Sequence, residues 1–179
     1  MAERLGIKVI VDPEVERRTS DYIRFNIYIT HGEEGEHVFS HPELEDRLRG
    51  LRVKNDYLEY IGLSVKHKKQ VLCFSGYYPF EKAEQELEGL GVGANAERFA
   101  LKHLAEKYPT WKVSEGILMP PRKRQLRRMG VRRFGFLSFG TLTVEERLAR
   151  VEKYLLKQSQ PQFRKGVWYR LKRFFGLPA

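Results

Sequence analysis

Residues 88–107 read EGLGVGANAERFALKHLAEK, with Gly89, Gly91 and Gly93 on alternate positions running straight into a helix-forming stretch. From Ala94 to about Lys107 apolar side chains recur at helical spacing. Ala96, Phe99, Ala100, Leu104 and Ala105 share one face, Leu101 and Tyr108 lie at its edge, and Pro109 ends the helix. A helix N-terminus carries free backbone N–H groups and a partial positive charge. Glycines ahead of it let an anion approach the backbone closely, so Gly91, Val92, Gly93 and Ala94 form a candidate phosphate-binding turn. The spacing Gly-x-Gly-x-Gly differs from the dinucleotide fingerprint, whose last gap is two residues. It differs from a P-loop as well, which requires Gly-Lys followed by Ser or Thr. A plain loop and helix start would use the same residues.

The chain before this helix reads as strands. Gly6 to Asp12 is a short one. Tyr22 to Thr30 alternates strictly, with Ile23, Phe25, Ile27 and Ile29 against Arg24, Asn26, Tyr28 and Thr30, which predicts one buried and one wet face. A turn at 31–35, a return strand at 36–39 and a helix from Ser40 to Gly50 follow, the helix opened by a Ser40–Glu43 capping box. Residues 57–65 and 70–74 read as two strands joined at His67-Lys68-Lys69, with His67 facing solvent. Gly76-Tyr77-Tyr78-Pro79 breaks the pattern, and 81–88 forms one or two helical turns.

Beyond the helix, 111–115 reads as a strand and 120–129 as a helix with Leu126 and Met129 inward. Phe134 to Phe139 reads as a strand. A second capping box, Thr143 with Glu146, opens a helix to about Gln158 whose Val144, Leu148, Val151 and Leu155 line one side. Glu146 and Arg150 are spaced for an i,i+4 pair. This predicts an α/β or α+β core over residues 1–140, built on a central mixed sheet with packed helices. A basic helical appendage over 141–179 includes a helix at 162–175.

The order from residue 57 onward is strand, strand, glycine loop, helix, strand, helix, strand. It resembles the GNAT superfamily of N-acyltransferases over roughly residues 57–139. That family holds the pyrophosphate of acetyl-CoA on a loop of the form Arg/Gln-x-x-Gly-x-Gly/Ala. Here the corresponding stretch is Glu88-x-x-Gly91-x-Gly93, with a carboxylate at the first position. Leu126-Arg127-Arg128-Met129-Gly130-Val131 is similar to the family's later helix-ending motif, without its usual Tyr. The resemblance implies acetyl-CoA as cofactor, an amine as acceptor, and backbone N–H groups at Gly91, Val92, Gly93 and Ala94 on the pyrophosphate. Arg122, Lys123 and Arg124 are cations suited to meet the CoA phosphates and so to offset the Glu88 carboxylate in part. The resemblance assigns no general base; Tyr77, Tyr78, His67 and Glu59 are candidates by position alone.

The charge points elsewhere. The 179 residues carry 33 Lys+Arg and 23 Asp+Glu, a net charge of +10. Residues 1–116 hold 17 basic and 20 acidic side chains, while 117–179 hold 16 basic and 3 acidic, so the excess lies wholly in the last third. Seven of the twelve residues from 122 to 133 are basic: Arg122, Lys123, Arg124, Arg127, Arg128, Arg132 and Arg133. Lys172 and Arg173 lie on the polar side of an amphipathic tail helix whose other side gathers Phe163, Val167, Trp168, Leu171, Phe174 and Phe175. The alternative to an acyltransferase is therefore a non-enzymatic RNA- or DNA-binding protein using this third of the chain. A third reading has the tail helix making a homodimer or touching a membrane surface.

Other chemistry is poorly supplied. One cysteine, Cys73, in an apolar strand, excludes an internal disulfide and reads as a small core residue. His37 and His41 flank a strand–helix junction rather than sharing a helix face, so no metal site is expected. The longest apolar runs are too short to span a bilayer, and no signal-peptide core precedes the first strand; a cytoplasmic location is expected.

Overall fold

The computed structural model describes residues 5–31, 57–79, 91–115, 120–131, 133–134, 138–139 and 142–159. The elements in chain order are β1 (Leu5–Val11), α1 (Pro13–Arg18), β2 (Tyr22–His31), β3 (Tyr57–Lys66), β4 (Val71–Pro79), α2 (Val92–Lys107), β5 (Lys112–Glu115), α3 (Pro120–Arg128), β6 (Arg133–Phe134), β7 (Ser138–Phe139) and α4 (Val144–Ser159). The expected strand at 36–39, the helix at 40–50, the turns at 81–88 and the tail helix at 162–175 lie outside the described residues.

The fold is α+β. Five strands form one mixed sheet in the order β1-β2-β3-β4-β5. The first three pairs are antiparallel, and β4 with β5 is parallel. The alternation in β2 does what its period dictates: Ile23, Phe25, Ile27 and Ile29 are buried and the intervening residues are half-exposed. On that inner face they meet Leu58, Ile61, Leu63 and Val65 of β3, Leu72 and Phe74 of β4, and Ala96, Ala100, Leu101 and Leu104 of α2. Leu101, placed at the edge of the apolar face by sequence, is fully buried. His103 of α2 meets Phe25 edge-on, ring centroids 5.7 Å apart.

Three expectations change. β4 does not stop before Gly76 but runs on to Pro79, because Gly76 pairs opposite Gly62 where the register shifts, and two glycines bring no side chains into conflict at that irregularity. The single strand expected over 134–139 is instead a two-stranded pair, β6 with β7, registered Phe134 against Ser138. Cys73 sits opposite Ser64 and is half-exposed rather than buried. After residue 141, Val144, Arg147, Val151 and Leu155 of α4 are all buried.

The path into α4 explains that packing. Val113 donates its N–H to the Leu142 carbonyl at 2.8 Å and Val144 donates to the Trp111 carbonyl at 2.9 Å, so residues 142–144 run along the β5 edge of the sheet. The capping box forms as read. Thr143 N–H donates to Glu146 Oε2 at 2.8 Å, and Glu146 N–H donates to Thr143 Oγ1 at 3.2 Å. α4 then runs antiparallel to α2, starting beside Pro109 and Trp111 and ending with Gln158 beside Gly91.

Candidate functional site

The parallel pair fixes where the glycine turn lies. β4 and β5 pair from Val71↔Lys112 to Phe74↔Glu115, where the described part of β5 ends, and β4 continues to Pro79. The chain then enters α2, which returns to the start of β5. The N-terminus of α2 therefore lies toward the carboxyl ends of the two parallel strands, where open α/β sheets place their ligands.

Gly91 is the N-cap of α2, with φ +80°, and supplies no side-chain cap. Only glycine takes that left-handed conformation at low cost. Asn95 closes the first turn onto it, its backbone N–H and its Nδ2 donating to the Gly91 carbonyl at 3.0 and 3.1 Å. Val92 and Ala94 turn their side chains into the core. Gly93 is half-exposed, and a Cβ built there would meet nothing within 4 Å. Of the four residues in the predicted turn, Gly93 is thus the one whose outward side is open. Gln158 of α4 lies over Gly91, its Oε1 3.3 Å from where a Cβ would stand, and its Nε2 donates to Tyr154 Oη at 2.5 Å. Glu88 and Gly89 lie outside the described residues.

In the second turn of α2, Glu97 is wholly buried, as is Glu115 at the end of β5. Arg122 of α3 and Arg147 of α4 meet them. Arg122 Nε and Nη2 donate to the two oxygens of Glu115 at 3.0 and 2.7 Å, and its Nη1 donates to Glu97 Oε2 at 2.8 Å and to Gln125 Oε1 at 2.7 Å. Arg147 Nε donates to Glu97 Oε1 at 2.8 Å, and its Nη2 lies against the carboxylates of Glu97 and Glu115. Two acids and two bases balance inside the core and tie α2, β5, α3 and α4 together. Burial alone would raise the Glu97 pKa; the attraction of Arg122, then of Arg147, outweighs it and holds the carboxyl down to about 2. Sequence reasoning missed Glu97, Glu115 and Arg147, and gave Arg122 a ligand's phosphate where the structure gives it two carboxylates.

The other basic residues of α3 separate from Arg122. Arg124, Arg127 and Arg128 are exposed and Lys123 is half-exposed. Leu126 and Met129 are buried as expected, and Gly130, with φ +76°, ends the helix. A Cβ at Gly130 would fall 2.9 Å from Arg150 Nη1, so Arg150 of α4 lies across this end of α3. Tyr154, on the same side of α4, hydrogen-bonds Arg128; burial raises its pKa and the guanidinium opposes that rise. Glu146, the expected partner of Arg150, gives its carboxylate to the Thr143 N–H. Arg133 lies in β6, while Arg132, Lys172 and Arg173 lie outside the described residues.

Of the four candidate bases, Glu59, Tyr77 and Tyr78 stand at register positions near the carboxyl end of β4, where Glu59 pairs with Pro79. His67 is at the other end. Its Nε2 lies 3.0 Å from the Ser20 carbonyl oxygen and its ring meets Trp111 edge-on, beyond the last turn of α2. The sixteen residues of α2 span roughly 24 Å, so His67 is out of reach of anything held at Gly93. Among the described residues no group of His, Cys, Asp and Glu is placed to hold a metal ion, and no helix is long and apolar enough to cross a membrane. No family model matches the chain, and no curated protein matches it either.

Proposed function

We propose that this chain is a GNAT-like protein that binds an acyl-CoA at the start of α2 and transfers the acyl group to an amine. The observation that carries the reading is the crossover from β4 to a parallel β5 through a helix capped by a left-handed glycine, with open space over Gly93, after four antiparallel strands. The N–H groups of Val92, Gly93 and Ala94 begin the helix and have no carbonyl four residues back within it. A pyrophosphate placed there accepts from them and lies at the positive end of the helix. Glu59, Tyr77 and Tyr78 are the candidates to take a proton from the attacking amine as the CoA thiolate leaves. His67 is set aside on distance, and Arg122 because its charge is already met by Glu97 and Glu115. Arg124 remains an exposed cation on α3.

Titration calorimetry with acetyl-CoA tests this. A Gly93→Glu variant enters open space and places a carboxylate in the first helical turn, where it favours the fold but repels a phosphate. Binding by the native chain, and at least about tenfold weaker binding by the variant at unchanged circular dichroism, is the expected result. Absence of heat at millimolar acetyl-CoA, or equal affinity of the two proteins, refutes it.

A further inference from the structure

The basic residues of α3 stand apart from the glycine turn in role. α3 has no acidic residue in its first turn, and its nine residues PPRKRQLRR hold five cations. The fold spends one of them, Arg122, on the buried network. The other four, Lys123, Arg124, Arg127 and Arg128, have no carboxylate partner among the described residues, and neither does Arg150, which α4 brings across Gly130 to join them. Arg124, Arg127 and Arg128 are spaced i, i+3, i+4 and so share one helix face. Two successive helices thus contribute to one cationic surface, each tied beneath it to the same two carboxylates, α3 by Arg122 and α4 by Arg147.

We propose that this α3–α4 surface docks the phosphate backbone of a duplex nucleic acid. Charge complementarity argues for a polyanion, and arginine forks suit phosphate oxygens. The surroundings argue for a duplex over a single strand or a lipid. Single-strand binding leans on exposed aromatic rings, whereas the exposed large hydrophobics among the described residues are Ile10 and Leu156, neither aromatic. A membrane-seeking helix sets an apolar face beside its cations. Leu156, two positions from Tyr154, is on the other side of α4 from Tyr154 and Arg128. Contacts of this kind read the backbone and not the bases, so binding is independent of sequence. The proposal stands whether or not the chain binds an acyl-CoA.

Fluorescence anisotropy of the full chain with labelled duplex RNA, duplex DNA, single strands and anionic vesicles tests it, across about 50 to 200 mM salt. Four or five phosphate contacts predict that log K falls with log salt at a slope of about −4. Arg124→Glu with Arg127→Glu should weaken duplex binding by tenfold or more, and Arg150→Gln should weaken it severalfold. Arg18→Glu, an exposed arginine on α1, should leave it within about twofold of native. The two duplex arms separate RNA from DNA. Unchanged duplex binding in the Arg124/Arg127 variant overturns the proposal, as does an equal loss in the Arg18 variant or a preference for single strands or vesicles.

Discussion

Replacing Arg147 by methionine should cost more than any other single change at a charged residue on α4. Its guanidinium is 1 % exposed and bonds two carboxylates that are themselves fully buried. With Arg147 gone, Glu97 and Glu115 share Arg122 alone, and one negative charge is left in the core without a partner. Removing one member of a buried ion pair costs about 3–5 kcal/mol. At a urea m-value of about 2 kcal/mol/M, that moves the unfolding midpoint down by roughly 2 M. The double variant Glu97→Gln, Arg147→Met is a sharper test. What remains there is Glu115 with Arg122, a neutral pair joined through two hydrogen bonds of 3.0 and 2.7 Å. The double variant should therefore lose about 2 kcal/mol less than the sum of the two single losses. Urea unfolding followed by circular dichroism at constant m measures all four corners of the cycle. A loss below about 1 kcal/mol for Arg147→Met, or additivity within about 0.5 kcal/mol, refutes the view that these four charges act as one neutral unit.

Two further outcomes follow from the same region. Gly91→Ala should destabilise the protein by about 1–2 kcal/mol, because φ +80° disfavours any side chain and Gln158 Oε1 crowds the new Cβ, whereas Gly93→Ala should stabilise it by about 0.4–1 kcal/mol; thermal melts of the two variants should shift in opposite directions. The carboxyl of Glu97 sits below its ordinary value of 4.5, so its contribution is fully present above that pH and is lost as pH falls toward about 2. Urea midpoints taken across this window should decline in the native protein and decline less in Glu97→Gln; parallel curves would contradict the assignment.

The sheet and helices were legible because their signals are local. Period two in Tyr22–Thr30, period 3.6 in Ala94–Lys107 and the Thr143–Glu146 box each depend on neighbours within a few residues, and each forms in place. β4 reads short because Gly76 and Pro79 count as breakers when their partner strand is unknown; opposite Gly62 and Glu59 they are accommodated. The buried charges were misjudged for a related reason. Arginine and glutamate count as surface residues in a periodicity reading, and their partners lie 7 to 50 residues away. A signal was nevertheless present. Glu97 precedes Ala100, Leu101 and Leu104 at spacings of three, four and seven, and Arg147 falls between Val144 and Val151 in the same way, so each charge occupies an apolar stripe. The glycine turn was legible as a helix start with free N–H groups. Which of its residues faces outward was not, because that depends on how α2 is rolled against the sheet and on where α4 ends.

The four-charge network also bears on the order in which the protein is made. Every strand of the five-stranded sheet precedes residue 116, so its strands can pair as soon as they leave the ribosome. Glu97, Glu115 and Arg122 emerge with or soon after them, but Arg147 comes 25 residues beyond Arg122. In that interval two carboxylates face one guanidinium, and closing α2 over β5 would bury a charge with no counterpart. Completion of this layer therefore waits on α4. The charge balance of this layer is complete only once Arg147 has emerged.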